Sequence, residues 1–241
     1  WCMGEQEKKK LESTGKCNLC GETFDKKKMT KHLTSCIKGK SGDEDSSAKK
    51  KLKKGMIFHL MVEGRGQPEY WIHIAAPAQS KLTHLDSFLR DIWLECCGHL
   101  SAFNIGGVSY SGGSSDAGFF GQDFGDDMDE SMDITLEKVL SPQIKFLYEY
   151  DFGTTTELTL KVVSVYEGQV KGKEIQLLAR NDPPVIMCDS CDKVAVQICT
   201  ECVYDGEGCL CDECAPKHEC GEEMYLPVVN SPRVGMCAYS G

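Results

Sequence analysis

From Met56 to Ala179 the apolar side chains recur at two periods, and each period predicts an element. In Ile57–Val62, Phe58, Leu60 and Val62 share one face; in Tyr70–Ala75, Tyr70, Ile72 and Ile74 do the same. Alternation of this kind marks half-buried strands. Glu63, Gly64, Arg65, Gly66, Gln67 and Pro68 make a turn-rich connection between them. The period then lengthens. Leu82, Leu85, Phe88, Leu89, Ile92, Trp93 and Cys96 fall three and four apart, which predicts an amphipathic helix, with Thr83 and Asp86 as a capping box at its start.

A strand over Ala102–Ile105 runs into Gly106–Gly107. Ser111–Asp133 holds seven acids, five glycines and no apolar period, so it reads as a long acidic surface loop. Leu136, Val139 and Leu140 predict a short helix, followed by strands at Phe146–Phe152, Glu157–Tyr166 and Glu174–Ala179. This order predicts an α+β domain over residues 56–182: a mostly antiparallel sheet with one main helix, covered on one face.

Outside 56–182 the periodicity lapses, and charge and cysteine become the informative features. The chain of 241 residues has a formal net charge of −10. Residues 1–55 nevertheless carry 15 lysines against 8 acids. A basic arm attached to an acidic body suggests a polyanion as partner of the arm. Of the 15 cysteines, four lie in residues 1–55, two in 56–187 and nine in 188–241. No secretion signal is visible at Trp1–Lys10, and no apolar run is long enough to cross a membrane. Cys-x-x-Cys pairs in such a chain point to metal rather than disulfides, and to a reducing, cytoplasmic location without membrane association.

The divisions that follow are a basic tail (1–15), a zinc finger (16–38), a basic flexible linker (39–55), the α+β domain (56–182) and a cysteine-rich zinc module (183–241). In the finger, Cys17 and Cys20 form a knuckle, and His32 and Cys36 stand four apart on one side of a helix. Together they offer zinc a tetrahedral Cys-Cys-His-Cys set. Phe24 and Met29 supply its small core. Lys26, Lys27, Lys28 and Lys31 lie where zinc fingers place phosphate and base contacts, so DNA or RNA is a candidate ligand. Lys8–Lys10 and the lysines at 49–51, 53 and 54 reinforce that charge, while residues 39–55 have the composition of a tether.

After Pro183–Pro184, Cys188 and Cys191, Cys199 and Cys202, and Cys211 and Cys214 arrive as pairs, followed by His218 and Cys220. Eight ligands suffice for two zinc ions, giving three ions in the whole chain. The seven-residue gap between the first two pairs is short for folding both onto one metal. A cross-brace resolves this: the first and third pairs share one ion, the second pair and His218–Cys220 the other. The module resembles a B-box zinc domain over about residues 186–222, except that His218 and Cys220 are only one residue apart. Cys237 is an alternative to Cys220, and Cys209 a weaker alternative to Cys211. Two-residue knuckles and a histidine favour zinc over an iron–sulfur cluster. Sites filled by protein ligands are structural rather than catalytic.

The run "FLYEYDFG" at Phe146–Gly153, preceded by a strand–strand–helix unit and by "FNIGG" at Phe103–Gly107, resembles the plasmid pRiA4b ORF-3-like family over roughly residues 56–180. The resemblance implies an α+β fold and a link to mobile-element proteins. Many family members follow the Tyr-Asp-Phe-Gly run with acids, a tryptophan and a histidine. Here Thr154, Thr155, Thr156, Glu157 and Leu158 stand instead, so no role is carried over for them.

Catalysis has no assembled set to rest on. "DFG" occurs at Asp123–Gly125 and Asp151–Gly153 without the other kinase elements, and no phosphate loop or Gly-x-Ser-x-Gly elbow is present. His59, His73, His84 and His99 read as structural or exposed, and Cys96 as packing. The expected function is a non-enzymatic zinc-binding protein associated with nucleic acid through its finger. The alternative is a protein–protein adaptor, contacting its partner through the core or the C-terminal module.

Overall fold

A computed structural model describes residues 13–40, 53–112, 129–170 and 172–241. Most of the basic tail, residues 41–52 of the linker and residues 113–128 of the acidic loop lie outside the described residues.

The first strands are β1 (Thr14–Cys17) and β2 (Thr23–Asp25), followed by helix α1 (Lys26–Lys40). Then come β3 (Lys53–Gly64), β4 (Gln67–Pro77) and α2 (Leu82–Leu89), which runs on as a π-helical turn over Arg90–Leu94. The remainder of the main layer is β5 (Ser101–Ile105), β6 (Val108–Ser111), β7 (Glu130–Ser131), α3 (Leu136–Val139), β8 (Lys145–Tyr150), β9 (Thr156–Val170) and β10 (Gln176–Asn181). Ten strands form one sheet in the order β2-β1-β10-β4-β3-β9-β8-β5-β6-β7, antiparallel except for the β6–β7 pair. A second, three-stranded sheet joins β11 (Gln197–Cys199), β12 (Cys209–Leu210) and β13 (Tyr225–Pro227).

Alternation decides which face each side chain enters. Phe58, Leu60 and Val62 of β3 and Tyr70, Ile72 and Ile74 of β4 cluster with Leu82, Leu85, Leu89 and Trp93 of the α2 segment. The opposite face of the same strands presents Ile57, Trp71 and Ala75, and these cluster with Met29 and Leu33 of α1. The sheet is therefore covered on both faces here, where the sequence predicts cover on one. The second cover is the finger's own helix. Met29 and Leu33 are fully buried, each contributing roughly 1.5–3 kcal/mol to the docking.

The finger's strand is also part of the sheet. β1 pairs with β10 through Gly15↔Asn181, Lys16↔Arg180 and Cys17↔Ala179. A Cβ at Gly15 would lie 2.3 Å from the Arg180 carbonyl oxygen and 2.6 Å from the Trp71 ring, so only glycine lets the strands close. Two buried histidines continue this junction. His59 Nε2 lies 2.9 Å from His73 Nδ1, and His73 Nε2 lies 3.4 Å from the Thr30 hydroxyl of α1, which itself donates to the Lys26 carbonyl at 3.1 Å. Burial pushes His59 down to about 4; burial, with His59 alongside, pushes His73 down to about 3. Both are neutral at physiological pH.

Several boundaries differ from the periodic reading. The helix begins at Leu82 after Lys81, whose backbone N–H donates to His84 Nδ1 at 3.0 Å, rather than at a Thr83–Asp86 box. Asp86 instead accepts hydrogen bonds from Tyr148, Ser101 and Arg90. The helical segment ends at Leu94, leaving Cys96 beyond it. Gly106 and Gly107, at φ 63° and 87°, make a tight turn that adds β6 to β5. Gly39 and Lys40 extend α1, and Lys53–Gly55 pair with Val170–Gly168, so both ends of the linker region are structured.

Candidate metal centres

In the finger, Cys17 closes β1 and the turn to β2 carries Cys20. The knuckle is set by Gly21 N–H donating to the Cys17 carbonyl (2.8 Å) and Cys17 N–H to the Glu22 carbonyl (2.9 Å). The Asp25 carboxylate caps α1 by accepting from the Lys28 N–H at 2.9 Å. That start places His32 and Cys36 one turn apart, facing the knuckle. Phe24 stacks on the His32 ring at 4.3 Å. The ligand atoms of Cys17, Cys20, His32 and Cys36 all lie within 4.8 Å of one another, with Cys20 Sγ 3.2 Å from His32 Nε2. Burial and the neighbouring Cys17 thiolate push the Cys36 thiol up to about 11. Packed thiolates repel, and a cation at their centre removes that penalty.

The four sequence-predicted lysines divide. Lys26 is drawn inward, donating to the Glu63 carboxylate and, at 3.1 Å, to the Pro68 carbonyl. It fastens α1 to β3 and β4 and is not on the free surface. Lys27, Lys28 and Lys31 are exposed, as is Lys38 two turns further on. Lys27, Lys31 and Lys38 fall on one stripe of α1, a helix without a single acidic residue.

In the C-terminal module the pairs interleave. Cys188, Cys191, Cys211 and Cys214 form one cluster, and Cys199, Cys202, His218 and Cys220 another, each within 4.8 Å. The Asp189 carboxylate binds the first loop to the third by accepting from Gly208 N–H (2.7 Å) and Cys209 N–H (2.6 Å). Cys211, not Cys209, enters the first cluster. Cys209 is buried on β12, which pairs with β11. Cys220 completes the second cluster, and Cys237 is elsewhere.

Sulfur separations test what these clusters suit. Two thiolates on one tetrahedral zinc, with bonds of about 2.3 Å, stand about 3.8 Å apart. The observed separations are 3.6 Å for Cys191–Cys211, 3.7 Å for Cys191–Cys214 and 3.7 Å for Cys202–Cys220. His218 Nε2 is buried without a hydrogen-bond partner among the described residues. An unpartnered ring nitrogen beside three thiols suits a site that a cation completes.

A fourth cluster was not legible as one from the sequence. Cys96, Cys97, His99 and Cys237 bring their ligand atoms within 4.8 Å. The sequence reading takes Cys96 as packing, His99 as scattered and Cys237 as a substitute for Cys220. The available signal was the density of Cys-Cys-x-His at 96–99; what hid the cluster was the distance along the chain to its fourth member.

A large, mostly antiparallel sheet, a smaller three-stranded one and four Cys/His clusters that could hold metal ions define a sheet-rich protein whose clusters are compatible with zinc. The plasmid pRiA4b ORF-3-like protein family matches residues 56–185, more than half of the chain, and the protein belongs to that family. No curated protein matches. Among solved structures, similarity is found to a protein of unknown function, MM3350, from Methanosarcina mazei Go1, at 17% identity and a TM-score of 0.39, covering 52% of this chain and 67% of that one. Among the described residues no helix is long and apolar enough to cross a membrane.

Proposed function

We propose that the protein is a non-enzymatic zinc-binding protein, residing in a reducing compartment, whose finger contacts the backbone of DNA or RNA. Zinc is the ion because tetrahedral sets of four thiolates, or three with one imidazole, suit it, and sets filled by protein leave no open position for catalysis. The cluster at Cys17, Cys20, His32 and Cys36 and the two interleaved clusters of residues 188–220 account for three structural ions.

The observation that carries the nucleic-acid reading is the two-sided character of α1. Met29 and Leu33 anchor one side to the sheet, while Lys27, Lys31 and Lys38 stand exposed on the other. A rigidly mounted cationic stripe on an otherwise acidic protein is suited to phosphate contact. Each phosphate neutralised makes binding steeper in salt.

The test is a duplex and single-strand binding titration at several salt concentrations, comparing the full chain with its Lys27→Gln/Lys31→Gln/Lys38→Gln variant. The variant should bind more weakly, with a salt slope smaller by about 3. Equal binding by both proteins, or none, would refute the reading. Deleting residues 1–55 is the poorer experiment, because it removes β1 and uncovers Trp71 and the β10 edge.

A protein-adaptor reading has an observation of its own. Val185, Met187, Val194 and Val196 are all exposed, and Met187 bridges Val194. They form an apolar patch at the entrance to the cysteine-rich module, of the kind that marks a protein contact. If the charge variant and the parent both ignore nucleic acid, this patch becomes the surface to probe.

A further inference from the structure

Cys96, Cys97 and His99 follow the π-helical turn, in a bend where the Glu95 carboxylate accepts from the Gly98 N–H at 2.6 Å and from Arg90 at 2.9 Å. The fourth member arrives from the opposite end of the chain. Residues after β13 leave the cysteine-rich module and return to the core, where the Ser231 hydroxyl donates to the Trp93 carbonyl at 2.6 Å. Arg233 is fully buried there and pairs with Asp151 at 2.6 Å. This return lays Cys237 against the bend: its Sγ is 3.6 Å from Cys97 Sγ and 3.5 Å from His99 Nε2.

Both separations suit a shared tetrahedral ion, for which about 3.8 Å between sulfurs and about 3.5 Å between sulfur and nitrogen are expected. A disulfide, at about 2.05 Å, is a different geometry. The surroundings are those of a built site. On the far side of the His99 ring, Nδ1 faces the Asp151 carboxylate at 3.6 Å. A carboxylate on that side favours a proton on Nδ1, which leaves Nε2 free for metal. The Arg233 guanidinium lies 3.5 Å from Cys96 Sγ. It supplies a positive charge beside a set of three thiolates, which would leave a bound divalent zinc with one net negative charge.

Backbone conformation converges on the same place. Only three non-glycine residues among the described residues have positive φ: Gln143, Asp151 and Cys237. Two of them belong to this cluster and its supporting shell, and left-handed backbone is retained where surroundings enforce it.

We propose that Cys96, Cys97, His99 and Cys237 bind a further structural zinc ion, which clamps the C-terminal segment to the bend after α2. The site stands outside the finger and the cysteine-rich module, and it holds whether or not the finger binds nucleic acid. Asp151, in the Tyr-Asp-Phe-Gly run that marks the family, is its positioning residue.

The experiment measures zinc per chain by elemental analysis in the full-length parent, in Cys237→Ser and in His99→Cys, all purified reduced. Cys237→Ser should hold one zinc fewer than the parent. His99→Cys, which keeps four ligands, should retain the parent's count, and its cobalt-substituted form should gain thiolate-to-metal absorption over the parent's. Anomalous scattering at the zinc edge from parent crystals gives a readout independent of variant folding, with a peak expected among the four ligand atoms. Equal zinc in the parent and Cys237→Ser would overturn the proposal. So would an anomalous map with peaks at other clusters and none here, or a Cys97–Cys237 disulfide in the reduced-purified protein.

Discussion

Replacing Arg233 by methionine removes a cation from a place that water does not reach. Arg233 is 0% exposed; it donates to Asp151 at 2.6 Å, to the Thr154 carbonyl at 3.0 Å and to the Thr156 hydroxyl at 3.0 Å, and it lies 4.9 Å above the Tyr150 ring. Asp151 is itself buried. Among the described residues it also accepts from the Gly153 and Thr154 N–H groups at 3.1 and 3.3 Å, with His99 nearby. Arg233→Met leaves that carboxylate without its guanidinium. Breaking a buried pair from one side typically costs about 3–5 kcal/mol. At about 2–4 °C per kcal/mol for a chain of this size, the midpoint should fall by about 6–20 °C. The assay is thermal unfolding of zinc-saturated protein at neutral pH, with zinc content measured in parallel. Asp151→Ala/Arg233→Met removes both charges and should lose less than the sum of the two single variants. A loss below about 1 kcal/mol in Arg233→Met, or strict additivity in the double variant, would refute the reading of a coupled buried pair.

Three further outcomes are expected. Gly15→Ala should separate β1 from β10, since its Cβ would meet backbone at 2.3 Å; exchange of the amides that join β1 to Ala179–Asn181 should accelerate by at least tenfold while β8 stays protected, and unchanged exchange would refute the docking. His59 and His73 have lowered pKa values, so the unfolded chain binds more protons than the native one below about 6.5. Stability is complete above that pH and falls by about 1.4 kcal/mol per pH unit for each histidine, down to about 4 for His59 and about 3 for His73. Ring NMR shifts check this, and titration of either residue above pH 5 would contradict it. Cys191→Ser should release one zinc and melt the cysteine-rich module, because a ligand at the centre of an interleaved site holds two loops at once; retained zinc would remove Cys191 from the site.

Local chemistry was readable and distant pairing was not. The strands around Phe58 and Ile72 declare themselves by alternation, and the two-residue knuckles by spacing, because neighbours in sequence create both signals. β1 carries neither: Thr-Gly-Lys-Cys is short and polar, and its place in the sheet is decided by how closely Gly15 fits under Trp71. The inward turn of Lys26 depends on Glu63 and Pro68, which no feature of the lysine run announces. The ending of α2 in a π turn places Cys96 and His99 where Cys237 can reach them. Periodicity carries the helix through Cys96 and so points that thiol into the core.

The pairing of β1 with β10 also bears on synthesis. Thr14–Cys17 leaves the ribosome more than 150 residues before its partner strand, a wait of about 8–30 s at about 5–20 residues per second. Metal can close the finger early, since its four ligands lie within twenty residues of one another. Met29 and Leu33 then have no sheet to cover until β4 and β10 exist. A nascent chain that takes up metal at this stage would present a closed finger whose apolar underside stays uncovered until the sheet can accept it.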